Sequence, residues 1–290
     1  MDRVGFVGTG VMGLSMAGHL MDAGYPLGVF NRTRERAVPL LDRGAVWHDT
    51  PAAVAAASDV IVTIVGFPAD VDSVYLGDDG VLAGASAGSL AIDMTTSSPQ
   101  LARRIAEQGA ARGVAVLDAP VSGGDTGARN ATLSIMVGGE EEAFRRAGPI
   151  LDAMGKTVVL QGGPGAGQYT KMCNQIAIAA GMIGVCESMH YARAAGLDPT
   201  VVMESIATGA AGSWSLSNLM PRAIAGDFAP GFKIKHFVKD LKIAVESARE
   251  LGLGLPGLEK AHQLYRRLEE SGSGEDGTQA LLRMYERGEV

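Results

Sequence analysis

Val4-Gly5-Phe6-Val7-Gly8-Thr9-Gly10-Val11-Met12-Gly13 is the stretch that decides the fold. The apolar run Val4–Val7 passes directly into Gly8-x-Gly10-x-x-Gly13, and Leu14 to Leu20 continues with helical spacing. A glycine triplet by itself says little in a chain with 40 glycines. Here it stands between a strand and a helix, where a dinucleotide-binding turn requires it. Gly8 permits the tight turn, Gly10 lets a pyrophosphate approach the backbone, and Gly13 lets the helix pack on the strand. The helix N-terminus offers unpaired N–H groups to the phosphates. The plain alternative is a glycine turn without a ligand.

Working outward, further strands are expected at Leu27–Phe30, Val60–Val65, Leu90–Asp93, Ala115–Asp118, Leu133–Val137 and Val158–Leu160. Helical patterns at Met12–Ala23, Arg34–Arg43, Thr50–Ala57 and Pro99–Arg112 separate several of them. Strands alternating with helices of this length read as right-handed βαβ units and a parallel sheet covered on both faces. Gly162-Gly163-Pro164-Gly165 interrupts the alternation. A long helix over Gly167–Ala195 is expected next, then helices at Pro199–Thr208, Ser215–Ala225, Lys233–Leu251, Pro256–Glu270 and Thr278–Arg287, with Ser271–Gly277 a flexible loop. The expected class is α/β: a Rossmann-like, doubly wound, mainly parallel sheet, followed by a long interdomain helix and an all-α C-terminal domain. The expected domains are 1–163 for the cofactor and 164–290 for substrate and oligomerisation.

At 290 residues the chain suits two domains, and 47% apolar with 20% charged residues is a globular composition. A net charge of −7 argues against a general nucleic-acid or membrane-surface binder, which needs a basic face. Cys173 and Cys186 form no disulfide framework and no metal set. No signal-peptide pattern precedes Val4, and no uninterrupted apolar run reaches the roughly 18 residues that span a bilayer. A soluble cytoplasmic protein without a metal is expected.

Cofactor choice is read after the second strand, at Phe30-Asn31-Arg32-Thr33 with Arg34 and Arg36 behind. An NAD-preferring turn usually carries Asp or Glu there for the ribose hydroxyls. Asn31, Arg32 and Thr33 can instead donate to a 2′-phosphate, Arg32 with two bonds. NADP(H) is therefore expected over NAD(H), with NAD(H) the second candidate.

Four segments carry a family resemblance over nearly the whole length: Gly5–Gly13 with Met16-Ala17; Asp118-Ala119-Pro120-Val121-Ser122-Gly123-Gly124; Gly165-Ala166-Gly167-Gln168-Tyr169-Thr170-Lys171-Met172-Cys173-Asn174; and Lys239-Asp240-Leu241. The chain resembles the β-hydroxyacid dehydrogenases, which include 3-hydroxyisobutyrate dehydrogenase, tartronate semialdehyde reductase and glyoxylate/succinic semialdehyde reductase. The resemblance implies that Lys171 is the catalytic acid/base and that Asn174 helps bind substrate. It implies that Ser122, Gly123 and Gly124 hold a substrate carboxylate, and that Lys239 reaches toward cofactor and substrate with Asp240 shaping the same wall. Cofactor contacts are expected at Gly8, Thr9, Gly10, Val11, Met12, Gly13, Asn31, Arg32, Thr33, Val65, Gly66, Thr95 and Lys239. Gly209 to Trp214 and Phe232 complete the expected pocket.

The residues support this in part. Lys171 and Asn174 lie three apart on a helix and share a face. Two glycines after Ser122 let N–H groups converge on an anion. Taken alone, Lys171 would be a surface lysine and Lys233, Lys235, Lys239 and Lys242 a solvated basic cluster; the whole motif reverses the first of these. Glu187 lies roughly 24 Å beyond Lys171 along the helix, too far for the same chemistry, and is read as a structural partner. Cys173 is read as packing. His236 either lines the pocket or packs. His19 departs from the family's usual Asn.

The expected partner is a small carboxylate, a hydroxy acid or its semialdehyde. Gln175 replaces the second Asn usual in 3-hydroxyisobutyrate enzymes and weakens that particular substrate. Imine reductases share the architecture but usually carry Asp or Tyr at the position of Lys171, and 6-phosphogluconate dehydrogenases have a much longer helical domain. A non-catalytic dinucleotide-binding or interaction module is the rival of another class; Lys171 and Asn174 disfavour it. The apolar residues Ile176, Ile178, Met182, Ile183, Val185 and Met189 on one helix suggest a homodimer or homotetramer.

Overall fold

The computed structural model describes all 290 residues. They form two compact units, Met1–Lys171 and Met172–Val290.

The first unit is a nine-stranded sheet: β1 (Val4–Val7), β2 (Leu27–Phe30), β3 (Val46–Trp47), β4 (Val60–Thr63), β5 (Leu90–Asp93), β6 (Ala115–Asp118), β7 (Val121–Ser122), β8 (Leu133–Gly138) and β9 (Gly155–Gly162). Their order is β3-β2-β1-β4-β5-β6-β8-β7, with β9 also paired to β8. The ladder from β3 to β6 is parallel, whereas β8 runs antiparallel to β6 and β7 and parallel to β9.

The central strands β1, β4 and β5 are buried throughout because both faces are covered. Successive side chains alternate between two cores, as strand geometry demands. Val60, Val62, Leu90 and Ile92 enter one core with Met16, Ala17 and Leu20 of the first helix (Val11–Asp22). Ile61 and Ala91 enter the other, with Val71, Tyr75, Leu101 and Ile105. The strand order reverses between β1 and β4. A doubly wound sheet binds its ligand in the crevice at the carboxyl ends of such a pair. The Gly8 turn leaves β1 at that point, and Ile64-Val65-Gly66 leaves β4.

Several elements differ from the sequence expectation. β3 and β7 are too short to show periodicity. The expected Arg34–Arg43 helix is a 3-10 turn, Arg34–Ala37, followed by Val38–Leu41, because Pro39 has no N–H to continue an α-helical ladder. The Ser215–Ala225 helix opens with a π turn, Ser215–Leu219, for the same reason at Pro221. Helices at Pro68–Leu76 and Glu141–Asp152 were not expected.

The second unit is helical, with one isolated bridge between Lys233 and Gly277. Its core gathers Met182, Val185, Cys186 and Met189 of the long helix (Ala166–Ala194) with Phe237, Leu241, Leu264, Tyr265 and Leu281. Phe237 and Tyr265 meet edge to face at 4.8 Å between ring centroids. The long helix has the length and composition of a membrane span, yet these side chains belong to the unit's core. Of its named apolar residues, Met182 and Met189 are 0% exposed, and Ile176, Ile178 and Ile183 are partly buried against the core.

Ser271–Gly277 is not free loop. Asp276 and Gly274 accept N–H groups of Ile234 and Lys235, and Glu275 pairs with both Lys233 and Lys235. Two of the four lysines of the expected basic cluster thereby share one carboxylate.

The two compact units adjoin in sequence at Lys171 and Met172, inside the long helix. The first turns of the long helix are tied to the sheet. Asp118, at the end of β6, accepts the N–H of Gly165 at 2.7 Å and of Gln168 at 2.8 Å.

Candidate active site

The three glycines of the turn answer to different demands. Gly8 has φ +102°, and a Cβ there would sit 2.0 Å from Ile64 O. A Cβ on Gly13 would sit 1.9 Å from Gly8 O. Both positions are closed by the protein itself. A Cβ on Gly10 would meet nothing within 4 Å, so no packing calls for glycine there. Gly10 caps the first helix without any side-chain hydrogen bond, and Val11 beside it is 72% exposed. Thr9 is 1% exposed, and its Oγ1 is buried without a hydrogen-bond partner. Room at Gly10, an orphaned hydroxyl and a helix N-terminus fit the pyrophosphate of a dinucleotide.

Around this turn, Asn31 Oδ1 accepts the Thr9 N–H at 3.0 Å, and Asn31 Nδ2 donates to Thr33 O at 2.8 Å. Asn31 therefore braces the turn, with one amide hydrogen committed to backbone. Arg32, with a side chain 77% exposed, pairs at 2.8 Å with Asp70, whose other oxygen accepts the Phe67 N–H. Arg34 lies over the Trp47 ring, 5.2 Å from its centroid. A carboxylate, Asp70, thus stands beside Arg32, a pairing that sequence order hides.

Val65 and Thr95 come together: the Val65 N–H donates to Thr95 Oγ1 at 2.9 Å. Thr95 is 2% exposed, and its own N–H donates to Asp93 Oδ1. Asp93 also accepts from Thr63 Oγ1, which contacts Tyr75 OH at 3.0 Å. Burial lifts the Asp93 carboxyl to about 6, against the pull of the Thr95 and Thr63 hydrogen bonds. Burial likewise lifts Asp118 to about 6, although backbone N–H groups hold its ionised form.

The sign follows from the folded group holding its proton more tightly than the unfolded one. Ionised Asp93 subtracts stability above about pH 6, and the penalty fades as pH falls toward the unfolded range. Half-buried His236 has a lowered pKa and acts oppositely in the same window, so a variant comparison is needed. Asp93→Asn keeps the acceptor for Thr95 and removes the ionisation. Between about pH 7.5 and pH 4, wild type should gain on D93N by on the order of 2–3 kcal/mol, read from paired denaturant melts. A constant gap would contradict the assignment.

Lys171 is 6% exposed, and its ammonium donates to Val121 O at 2.9 Å. Val121 immediately precedes Ser122-Gly123-Gly124. Gly123 and Gly124 take φ +132° and +62°, turning the chain from β7 into a short helix, Gly124–Arg129. The N–H groups of Gly124, Asp125 and Thr126 precede the first intrahelical bond, which Gly127 N makes to Gly123 O. Fifty residues apart in sequence, Lys171 and the strand end that leads into Ser122-Gly123-Gly124 are neighbours.

In the second unit, half-buried Asn174 donates to Gln175 Oε1 at 2.7 Å, and Gln175 Nε2 donates to Asp240 Oδ2 at 2.6 Å. Lys239 Nζ lies 3.0 Å from Asp240 Oδ1. Asp240 and Gln175 are each 1% exposed. Asp240 thus orients Lys239, and Gln175 links it to Asn174. His236 is half-buried and stacked on Phe232, 6.5 Å between ring centroids. Burial and then Lys239 and Lys235 lower its pKa. Trp214 is 68% exposed.

Residues 3–163 match a family model described as the NAD-binding domain of 6-phosphogluconate dehydrogenase. Residues 165–285 match one described as the NAD-binding region of NADP-dependent 3-hydroxyisobutyrate dehydrogenase. The chain belongs to the β-hydroxyacid dehydrogenase family. It is similar to an uncharacterized oxidoreductase of Bacillus subtilis, 53% identical over 97% of this chain and 98% of that one. A 2-hydroxy-3-oxopropionate reductase of Escherichia coli is 39% identical over 98% and 97%. A solved 3-hydroxyisobutyrate dehydrogenase of Mycobacterium tuberculosis, with L-serine, superposes with a TM-score of 0.91 at 30% identity, covering 98% of this chain and 99% of that one. Membership makes the chain an NAD(P)-dependent oxidoreductase of the hydroxyacid type.

Three residues singled out in the sequence now have places. His19 Nε2 donates to Ala128 O at 2.9 Å, joining the first helix to the helix that follows the Ser122 loop. Cys173 is exposed, which corrects its expected packing role: beside buried Lys171 and Met172 it falls on the outer face of the helix. Glu187 accepts from Tyr285 OH at 3.2 Å, within the second unit.

Proposed function

We propose that this dehydrogenase moves hydride between NADP(H) and a small β-hydroxy acid or its semialdehyde, with Lys171 as the acid/base. The observation that carries this is the Lys171 ammonium held against the strand end that opens into Ser122-Gly123-Gly124. When bound, the nicotinamide supplies or accepts the hydride. In reduction, the Lys171 ammonium gives a proton to the carbonyl oxygen; in oxidation, the neutral amine takes the hydroxyl proton. Asn174 orients that oxygen. Ser122 and the N–H groups of Gly123 and Gly124 hold the carboxylate, so that the reacting carbon is fixed relative to Lys171. Lys239, with Asp240 behind it, adds positive charge for the carboxylate and cofactor.

The small β-hydroxy acid class is supported by L-serine with the Mycobacterium tuberculosis relative and by the name of the Escherichia coli relative. A panel of 3-hydroxyisobutyrate, L-serine, tartronate semialdehyde, glyoxylate and succinic semialdehyde, each with both cofactors, tests it. Absence of turnover across the panel would contradict it.

The preference for NADP(H) rests on Arg32, Thr33, Arg34 and Arg36, with no carboxylate at the end of β2. Asp70 tempers that charge. Arg32→Ala should weaken NADPH binding about tenfold while changing NADH binding less than about threefold, and Asp70→Asn should shift selectivity further toward NADPH. Cofactor titrations of the two variants check this; equal losses for both cofactors in R32A would overturn it.

The first unit serves the cofactor and the second the substrate and self-association. The long helix exposes Ala177, Ala180, Gly181 and Gly184, small residues that permit close approach of a second copy. A homodimer or homotetramer is expected; a monomeric mass in solution would contradict it.

A further inference from the structure

Gln168 is 0% exposed and stands one turn before Lys171 on the same helix. Its carboxamide makes two bonds into one loop. Oε1 accepts the Ser97 N–H at 2.9 Å, and Nε2 donates to Thr95 O at 2.8 Å. The amide orientation is unambiguous, because a backbone N–H can only donate and a carbonyl only accept. Its main-chain N–H is held by Asp118 Oδ2 at 2.8 Å. The helix is pressed close at this point: a Cβ on Gly167 would sit 2.4 Å from Met136 O and 2.5 Å from Asp118 O.

The loop that Gln168 grips is the one that shapes the crevice. Thr95 Oγ1 holds the Val65 N–H, and Val65 follows the segment whose Ile64 O closes on Gly8. One buried side chain therefore joins the walls around the glycine turn to the helix carrying the ammonium. Hydride and proton must reach one carbonyl group together, so the spacing between those walls and Lys171 bears on rate.

We propose that Gln168 is a positioning residue that sets the place of Lys171 relative to the 95–97 and 65–66 loops, a role that rests on Lys171 being the acid/base. It touches neither substrate nor cofactor and acts through Lys171.

The test compares wild type, Gln168→Met, Gln168→Glu, Lys171→Ala and the double variant Q168M/K171A. The assay uses NADP(H) and whichever compound of the panel wild type turns over fastest. Q168M should lower kcat about tenfold or more while KM for the acid stays within about threefold. In the K171A background the same change should lower the residual rate less than about twofold, because the group it positions is gone. Q168E keeps the acceptor for Ser97 but cannot donate to Thr95 O until its carboxyl is protonated. Its turnover relative to wild type should therefore recover about fivefold or more between about pH 8 and pH 5.5, with melting temperatures recorded at both.

Three results would overturn the proposal: Q168M turnover above about half of wild type, the same fold-loss in both backgrounds, or a Q168E ratio flat with pH. If Q168M does not fold, the Q168E ratio alone decides. If K171A keeps near-normal turnover, it is the acid/base role that fails, and the positioning role with it. If K171A is inactive while Q168M is not, only the positioning role fails.

Discussion

Lys171→Ala will lower kcat by about 100- to 10,000-fold and leave the NADPH dissociation constant within about threefold. The ammonium is buried against Val121 O, so what it provides is a proton at a defined place rather than general surface charge. Its loss leaves the carbonyl oxygen to be protonated by water. Lys171→Arg separates charge from proton transfer. A guanidinium keeps the positive charge but does not deprotonate in this range, so K171R should remain as inactive in oxidation as K171A. Some stability will also go: Val121 O is left without its donor, a loss of about 1–3 kcal/mol, seen as a melting temperature a few degrees lower. Turnover must therefore be measured well below that temperature. Near-normal kcat in folded K171A would remove the acid/base assignment.

The second large effect is expected at the glycine turn, where two substitutions of equal size should fail in different ways. Gly13→Ala places a methyl 1.9 Å from Gly8 O, a backbone atom that cannot swing aside. The first helix must move off β1, at a stability loss of about 1–3 kcal/mol or more, with cofactor affinity falling as the turn deforms. Gly10→Ala meets no protein atom within 4 Å, so its melting temperature should match wild type. Its methyl occupies the space assigned to the pyrophosphate, and NADPH affinity should fall about 100-fold. Calorimetric titration with thermal melts distinguishes the two. Unchanged NADPH affinity in G10A would mean that the phosphates lie elsewhere.

How much of this could be read beforehand depended on the range of the interactions. β1 and β5 were legible because a strand buried on both faces writes itself as a continuous apolar run such as Leu90-Ala91-Ile92. Val46–Trp47 and Val121–Ser122 were not, since strands of two residues have no period. The 3-10 and π turns hinge on Pro39 and Pro221, which could have been marked as helix breakers from sequence alone.

The candidate site was legible where it is local. Gly8 to Gly13, Ser122 to Gly124, and Lys171 with Asn174 each lie within one turn of chain. It was illegible where partners come from distant elements. Asp70 reaches Arg32 across 38 positions, Asp118 reaches Gly165 across 47, and Gln168 reaches Thr95 across 73. Gln175 was weighed as a mark of substrate identity, yet it is buried and bonded to Asp240. Asn31 was weighed as a phosphate donor, yet its amide is largely occupied with bracing the turn. A polar side chain in a motif carries no label for whether it faces a ligand or another part of the chain; packing decides that.

The central claim is that one group, Lys171, gives the proton in reduction and takes it in oxidation. The most direct measurement is kcat/KM against pH in both directions, for wild type and for K171A. In wild type the reductive limb should fall and the oxidative limb rise with increasing pH, through the same midpoint, and both limbs should be absent from K171A. Limbs that run in the same direction, or that persist in K171A, would contradict it.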